Sequence, residues 1–419
     1  MLAPARRFGL LALGLLALAT HAFALERAKP EEVGLSSERL ERLSAALEGY
    51  VERGEIAGSV TLVARRGRIA FLEAVGFRDR EARARMTEDT LFRIASQTKA
   101  IVSVGAMLLV EEGKLSLSDP VAKYLPEFAD TTVAVERPNG RYTVEPAARP
   151  ITVRHLLTHT SGFDYGTGPA ADRWRDAGFT RWYFADRNEP MRASVERIAK
   201  LPAAAHPGER WIYGYSTDIL GVLIEVVAGQ PLDRFLAERI FEPLGMTDTH
   251  FFVPPAKRDR LAAVYSFRNG KIERAPADAT GQGAYVDGPR QAFSGGAGLV
   301  STAQDYARFL QMMLDGGTFD GRRILSRKTV ELMTVDHLDG LAYNAGQGFG
   351  LGFFVVKDVG ARGVPGSKGE FGWAGAYHTT YWVDPAESLV VVHLTQLLPS
   401  AGVDDHDKVR ALVYQAIDD

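Results

Sequence analysis

The stretch LFRIASQTKAIVSVGAMLLVEEG, residues 91–113, carries most of what can be predicted about this chain. Its second half is apolar and ends at a glycine, which predicts a helix from about Gln97 to Glu112. Ser96 and Lys99 stand at the start of this helix, three residues apart, so their side chains share one face. The free N–H groups and the dipole at that helix end would stabilise a developing oxyanion.

A serine hydroxyl becomes a good nucleophile only when a neighbouring group accepts its proton. A lysine amine can do so where burial or a nearby charge makes its neutral form accessible. Ser96 is the only serine of the chain with a lysine three residues later. The pair by itself leaves two interpretations open. It is either a nucleophile with its activating amine, or a helix cap followed by a surface charge.

Composition excludes several classes of function. Lys and Arg number 49 and Asp and Glu number 52, so the net charge of −3 argues against a nucleic-acid partner. The absence of cysteine excludes disulfides, thiolate nucleophiles and a lipoprotein anchor. The sequence contains no P-loop, dinucleotide glycine fingerprint, H-E-x-x-H or G-x-S-x-G motif.

The acidic residues Asp404, Asp405 and Asp407 are predicted to form the solvated start of a helix.

The N-terminus has the pattern of a secretory signal over residues 1–24. Arg6 and Arg7 precede an apolar run that is too short to cross a bilayer core of about 30 Å, and an A-x-A site ends at Ala24. We expect a periplasmic or secreted protein with no membrane association once the signal is removed. The alternative is an N-terminal membrane anchor that is not cleaved.

The order of predicted elements indicates an α/β (α+β) architecture. Helix and hairpin patterns over residues 37–75 are matched by strand patterns at 350–357, 378–383 and 388–395 and by a C-terminal helix. These elements need each other to cover their apolar faces. We therefore predict one α/β lobe from residues 25–114 and 293–419, and an inserted, mostly helical lobe over residues 115–292. The cleft between the lobes is the expected active site.

Four segments, in this order, resemble the serine hydrolases of the penicillin-binding-protein and class C β-lactamase superfamily. They are residues 91–128, ITVRHLLTHTSG at 151–162, PGERWIY at 207–213, and residues 294–302 with Asp305 and Phe309 behind them. The resemblance covers nearly all of the chain after the signal. It implies a β-lactamase/transpeptidase-like fold, with an antiparallel sheet flanked by helices.

The resemblance also implies roles for individual residues. Ser96 matches the nucleophile that is acylated, Lys99 the lysine that helps to activate it, and Tyr213 the phenol that relays protons. Tyr215 falls where family β-lactamases carry a substrate-binding asparagine, and is a second choice for the base. His159 is expected to pack near the cleft. The family chemistry requires no metal and no cofactor.

The third family motif departs from the pattern of β-lactamases and peptidases. Where those enzymes have K-T-G or H-T-G, this chain has Trp373-Ala374-Gly375, and the W-x-G form resembles the carboxylesterase branch, family VIII. The family's oxyanion hole would consist of the N–H groups of Ser96 and Ala376. A tryptophan offers an apolar face and one N–H, which suits a neutral group better than the carboxylate of a β-lactam.

These observations favour an exported serine hydrolase that acts through an acyl-enzyme, most simply a carboxylesterase on small esters. The first alternative is the same machinery acting on amides, as a β-lactamase, a D-alanyl-D-alanine carboxypeptidase or a D-amino-acid peptidase. The second is a non-catalytic protein that binds cell-wall peptides. The expected partner is thus a small ester, a β-lactam or a peptide. The sequence does not predict the oligomeric state.

Overall fold

The computed structural model describes residues 25–138, 140–278, 281–400 and 402–419. The predicted secretory signal, residues 1–24, lies outside these described residues. Within them, no helix combines the length and the apolar character needed to cross a membrane.

The helices and strands are numbered here in chain order. The α-helices are α1 Ser37–Glu52, α2 Thr98–Glu111, α3 Val153–Leu157, α4 Ala171–Asp176, α5 Met191–Ile198, α6 Ser216–Ala228, α7 Leu232–Leu236, α8 Glu242–Leu244, α9 Ala303–Leu314, α10 Arg327–Met333, α11 Val359–Arg362 and α12 Asp405–Tyr414. The strands are β1 Gly58–Arg65, β2 Arg68–Asp79, β3 Ala84–Arg85, β4 Phe92–Arg93, β5 Thr132–Glu136, β6 Tyr142–Pro146, β7 Tyr265–Arg268, β8 Lys271–Arg274, β9 Val300–Ser301, β10 Thr318–Phe319, β11 Arg322–Arg323, β12 Gln347–Phe349, β13 Phe354–Val356, β14 Phe371–Gly375, β15 Thr379–Asp384 and β16 Leu389–Leu394.

The main sheet has eight strands in the order β12-β13-β14-β15-β16-β1-β2-β3, with antiparallel pairing between all neighbours. Its centre joins the two ends of the chain, because β1 pairs with β16 so that Thr61 lies opposite His393. The predicted antiparallel sheet built from both ends of the chain is therefore confirmed. The lobe boundaries near residues 115 and 292 stay a prediction.

Helices cover both faces of this sheet. All eight residues of β1 are buried, which requires apolar partners on each side. On one face, Val63 and Val391 pack against Leu43 and Leu47 of α1 and Val413 of α12. The other face packs against α2 and α9 in the larger core cluster. Each fully buried side chain of this kind contributes about 1.5–3 kcal/mol, so the two clusters hold the layers together.

Most local patterns are observed as predicted, with one clear exception. Helix α1 and the β1-β2 hairpin occur where the sequence places them. The run 350–357, expected to be one strand, instead forms the turn and second strand of the β12-β13 hairpin. The turn passes through Gly352 at φ +99°, a backbone conformation that favours glycine.

The strand β14 was not predicted as a strand, and it carries the third motif. It runs between β13 and β15, and its last residue, Gly375, lies against the turn before Ser96. A Cβ at Gly375 would lie 2.4 Å from the carbonyl oxygen of Ile94, so only glycine permits this approach. The motif glycine thus brings the end of β14 to the start of α2.

One prediction about the C-terminal helix is wrong. Asp404 and Asp407 are exposed as expected, but Asp405 is fully buried. Its carboxylate accepts hydrogen bonds from Nε2 of His378 at 2.5 Å and from Nε2 of His393 at 3.0 Å. The two histidines supply the donors that allow a carboxylate to lie away from water.

Candidate active site

Ser96 lies in a short 3-10 turn, Ala95–Gln97, immediately before α2. The preceding residue, Ala95, has φ +41°, a conformation that costs a non-glycine residue about 1–2 kcal/mol. Backbone hydrogen bonds hold the turn in place, because Ile94 N–H donates to the carbonyl of Leu299 at 3.1 Å. Ser96 is 9% exposed, so its hydroxyl lies in the protein wall with access restricted to one side.

The amine of Lys99 is buried and directed at this serine. Its Nζ lies 3.3 Å from the Ser96 hydroxyl oxygen and also donates to the carbonyl of Gly296 at 2.7 Å. Lys99 is only 2% exposed, which excludes its interpretation as a surface charge. Serine and lysine thus have the arrangement of a nucleophile with its activating amine, and their catalytic role stays a prediction.

The aromatic ring of Tyr213 packs over the amine of Lys99. Lys99 Nζ lies 4.6 Å from the centre of the Tyr213 ring. The Tyr213 hydroxyl oxygen accepts a hydrogen bond from Trp373 Nε1 at 3.0 Å. Trp211 stacks on Tyr213 at 5.7 Å between ring centres. The three predicted catalytic side chains are thus brought together around Lys99, and the third motif contacts one of them directly.

A second phenol contacts Lys99 that the sequence analysis did not identify. The hydroxyl of Tyr165 lies 3.1 Å from Lys99 Nζ, and its ring packs edge-on against Tyr213. Burial, together with the neighbouring Tyr213 and Asp218, raises the pKa of Tyr165 well above its usual value, so this phenol is neutral at pH 7. It follows the 151–162 motif by three residues, which was the available signal.

The predicted role of Tyr215 is wrong. Its side chain is completely buried, and its hydroxyl donates to the carbonyl of Arg181 at 2.8 Å. The ring stacks on Trp174 at 5.5 Å with an interplanar angle of 6°. Tyr215 therefore belongs to the core of the helical region and is not placed to bind substrate or to act as a base.

The three residues of the third motif differ in their exposure and contacts. Trp373 is half-buried, Ala374 is exposed, and Gly375 abuts the turn before the nucleophile. Ala376 follows in the tight turn from β14 to β15, which His378 N–H closes on the carbonyl of Gly375 at 3.0 Å. The assignment of the Ser96 and Ala376 N–H groups to an oxyanion hole stays a prediction, and this turn is what would present the second donor.

His159 lies beneath Tyr213, with 4.8 Å between the ring centres. Burial and the charge of Lys99 lower its pKa well below the usual value, so the imidazole is neutral. Its Nδ1 has no hydrogen-bond partner among the described residues. The contacts with Tyr213, Trp211 and Phe349 indicate a packing role.

A cavity of about 500 Å³ opens beside Trp373 and Ala374. Six aromatic side chains line it together with polar ones: Trp211, Tyr343, Phe354, Trp373, Tyr381 and Trp382, and Asn344, Gln347, Thr380, His406 and Asp407. Two arginines, Arg362 and Arg410, also line it, but both are paired with the buried carboxylate of Glu370. The cavity therefore offers aromatic surface next to the third motif, with polar side chains and the carboxylate of Asp407 also in its lining.

One cluster has residue types that bind metals. Ligand atoms of His378, Asp405 and His406 lie within 4.8 Å of one another. The 2.5 Å separation between His378 and Asp405 is a hydrogen-bond distance, shorter than two ligands of one zinc ion would allow at about 2.0–2.2 Å each. Burial alone would raise the pKa of Asp405, but the hydrogen bonds from His378 and His393 outweigh it and lower that pKa below its usual range. We interpret the cluster as a set of hydrogen bonds that joins the start of α12 to the β14-β15 turn.

Comparison with known proteins shows the family of the chain. The beta-lactamase family matches residues 43–416. The chain is 34% identical over 377 residues to esterase EstB of Burkholderia gladioli, which covers 84% of this chain and 89% of EstB. It is 28% identical over 404 residues to a putative D-alanyl-D-alanine carboxypeptidase of Escherichia coli K12, covering 92% of this chain and 88% of that protein.

Among solved structures, the chain is similar to EstCE1, described as a hydrolase with promiscuous acyltransferase activity. The TM-score is 0.76 and the identity 28%, covering 90% of this chain and 98% of EstCE1. The predicted β-lactamase/transpeptidase-like fold is confirmed by this match and by the family match. The chain therefore belongs to the beta-lactamase family and is a serine hydrolase related to the esterases and carboxypeptidase-like proteins of that family.

Proposed function

We propose that this chain is an exported carboxylesterase that hydrolyses small, neutral esters through an acyl-Ser96 intermediate. One observation carries the choice of ester over β-lactam or peptide. At the position where family β-lactamases have lysine or histidine, Trp373 donates its only polar hydrogen to Tyr213, and its half-buried ring lines the cavity beside the third motif. An aromatic surface binds a neutral group and offers no charge to a carboxylate.

In the proposed reaction, Ser96 Oγ attacks the ester carbonyl carbon while its proton passes to the Lys99–Tyr213 pair. The N–H groups of Ser96 and Ala376 stabilise the negative oxygen of the tetrahedral intermediate. The C–O bond then breaks, and the alcohol leaves with the proton held by the pair. Water gives a proton to the same pair and attacks the acyl-enzyme, after which the acid leaves and Ser96 regains its proton. Because the two groups are coupled, they act as one proton acceptor.

The second contact of Lys99, with Tyr165, supports this assignment. A buried amine with three oxygen partners is held in one position, and the serine oxygen is among those partners. Because the amine is already positioned against the serine, no entropy is lost in reaching that geometry in each turnover.

Activity assays with purified protein test the proposal. We expect hydrolysis of p-nitrophenyl acetate and butyrate, no hydrolysis of a chromogenic cephalosporin or a D-Ala-D-Ala peptide, and loss of activity in Ser96→Ala. Ser103→Ala is the matched control, because Ser103 is a buried serine on the same helix. Turnover of the cephalosporin or the peptide without esters would favour amide hydrolysis instead. No turnover, with no covalent fluorophosphonate adduct on Ser96, would leave a binding protein.

Export is a separate part of the proposal. It rests on the pattern of residues 1–24, with its basic start and its A-x-A site. N-terminal sequencing of the protein from a periplasmic fraction tests it. A mature start near Leu25 is expected, whereas an intact Met1 on a membrane-bound protein would contradict export as a free protein.

A further inference from the structure

A carboxylate lies buried behind the catalytic lysine. Asp218, in the first turn of α6, is 1% exposed. Its Oδ1 accepts hydrogen bonds from the Ser294 hydroxyl at 2.6 Å and from the Gly296 N–H at 3.0 Å. Its Oδ2 has no hydrogen-bond partner among the described residues. A carboxylate so deeply buried is costly unless a positive charge compensates it.

The same glycine connects this carboxylate to Lys99. The N–H of Gly296 donates to Asp218, and the carbonyl of Gly296 accepts the hydrogen bond from Lys99 Nζ at 2.7 Å. A Cβ at position 296 would lie 2.3 Å from Asp218 Oδ2, so the carboxylate packs directly against Gly296. Asp218 and Lys99 therefore hold the two sides of one residue.

The charges around Asp218 identify its partner. Burial raises the pKa of Asp218, and the charge of Lys99 acts in the opposite direction. Tyr165 and Tyr215 also interact electrostatically with the carboxylate, but burial raises the pKa of both phenols, which keeps them neutral. No ion pair within 4.0 Å joins Lys99 to a carboxylate of the described residues, Asp218 included, so the charges of Asp218 and Lys99 interact across Gly296. The group that can balance Asp218 is thus the buried amine of Lys99.

We propose that Asp218 is the counter-ion of Lys99, a positioning residue that favours the protonated Lys99–Tyr213 pair and fixes the Gly296 carbonyl that directs the amine toward Ser96. This inference rests on the proposed function, since it concerns the same site. Asp218 itself does not touch the reacting atoms, so its effect must reach them through Lys99.

The pH dependence of activity tests the charge. Asp218→Asn keeps the shape and the acceptor oxygen but removes the negative charge, which makes loss of a proton from the Lys99–Tyr213 pair easier. We expect the acid limb of kcat/KM for a p-nitrophenyl ester to move to lower pH by about one unit or more. Ser294→Ala is the matched control, because it disturbs the same carboxylate without removing its charge, and its limb should stay close to wild type. An unchanged limb in Asp218→Asn would overturn the proposal.

A stability cycle tests the pairing without any activity. Lys99→Met leaves the Asp218 charge unbalanced and should lower Tm by at least about 3 °C. Adding Asp218→Asn in that background should recover at least half of the loss. Adding Asp305→Asn, another buried aspartate, should recover none. If Asp218→Asn lowers Tm further in the Lys99→Met protein, the two groups are not a pair. This result stands whether or not the chain proves to be an esterase, because it compares only the thermal stability of the wild type and of the Lys99→Met variants.

Discussion

Replacing Trp373 by phenylalanine tests how the third motif contributes to catalysis. The substitution removes the indole N–H that Tyr213 accepts at 3.0 Å and keeps an aromatic ring against Phe349, whose centre lies 5.3 Å from that of Trp373. In the proposed mechanism Tyr213 gains and loses negative character as it relays the proton. A donor aimed at its oxygen therefore stabilises the transition state more than the ground state.

The size of the effect follows from this single bond. A hydrogen bond to a group that carries charge contributes about 1.5–3 kcal/mol. If that contribution is made only in the transition state, kcat should fall about 10- to 150-fold. KM should change little, because the lost donor points to Tyr213 and not to the substrate. The smaller ring should cost about 1 kcal/mol in the free energy of unfolding.

The assay is steady-state hydrolysis of p-nitrophenyl butyrate, together with urea denaturation of each variant. Trp211→Phe provides the matched control, because Trp211 stacks on the same tyrosine and its Nε1 has no hydrogen-bond partner within the described part of the chain. We expect Trp211→Phe to change kcat less than threefold. Equal losses in the two variants, or a loss below threefold in Trp373→Phe, would refute the role of the indole N–H.

Three further outcomes are expected. Tyr165→Phe removes the hydroxyl beside Lys99 Nζ, and kcat for the same ester should fall about fivefold, the value of one ordinary hydrogen bond. Asp405→Asn places an amide hydrogen against a histidine donor. It should lower the free energy of unfolding at pH 7, measured by urea denaturation, by about 2–4 kcal/mol. Asp407→Asn, at an exposed position, should change that free energy little. The pKa of Asp405 is lower in the folded chain than in the unfolded chain. The contribution of Asp405 to the free energy of unfolding is therefore complete above about pH 4 and is lost at lower pH. Asp405→Asn should accordingly lose less stability than wild type between pH 5 and 3. Trp373→Lys should raise kcat/KM for carboxylate-bearing substrates relative to neutral esters; unchanged selectivity would show that this side chain does not contact the substrate.

Much of the fold was predictable because its signals are local. Periodicity over residues 37–52 predicts α1 correctly, since one apolar face of a helix is visible within a few turns. The run from residue 58 predicts the β1-β2 hairpin for the same reason. The strand β14 lacks such a pattern, because two of its five residues are glycines and Phe371 is its only large, fully buried side chain.

Site residues were predictable only where they stand in a motif. Ser96 and Lys99 are neighbours in sequence, and an order of motifs placed Tyr213 with them. Tyr215 stands in the same motif as Tyr213, yet the structure turns it into the core. The motif gives the two tyrosines different positions, but it does not show that Tyr215 is buried, because the direction of a side chain depends on what packs around it.

From the sequence one infers that a serine and a lysine lie three residues apart at the start of a helix, and that both ends of the chain build one covered sheet. Which groups surround that pair depends on contacts between distant parts of the chain. Tyr213 and Trp373 are 160 residues apart, and Asp218 meets Gly296 across 78 residues. Such contacts depend on how helices and strands pack, which local periodicity does not encode. The physical reason is that burial and charge act through space, whereas a motif records only spacing along the chain.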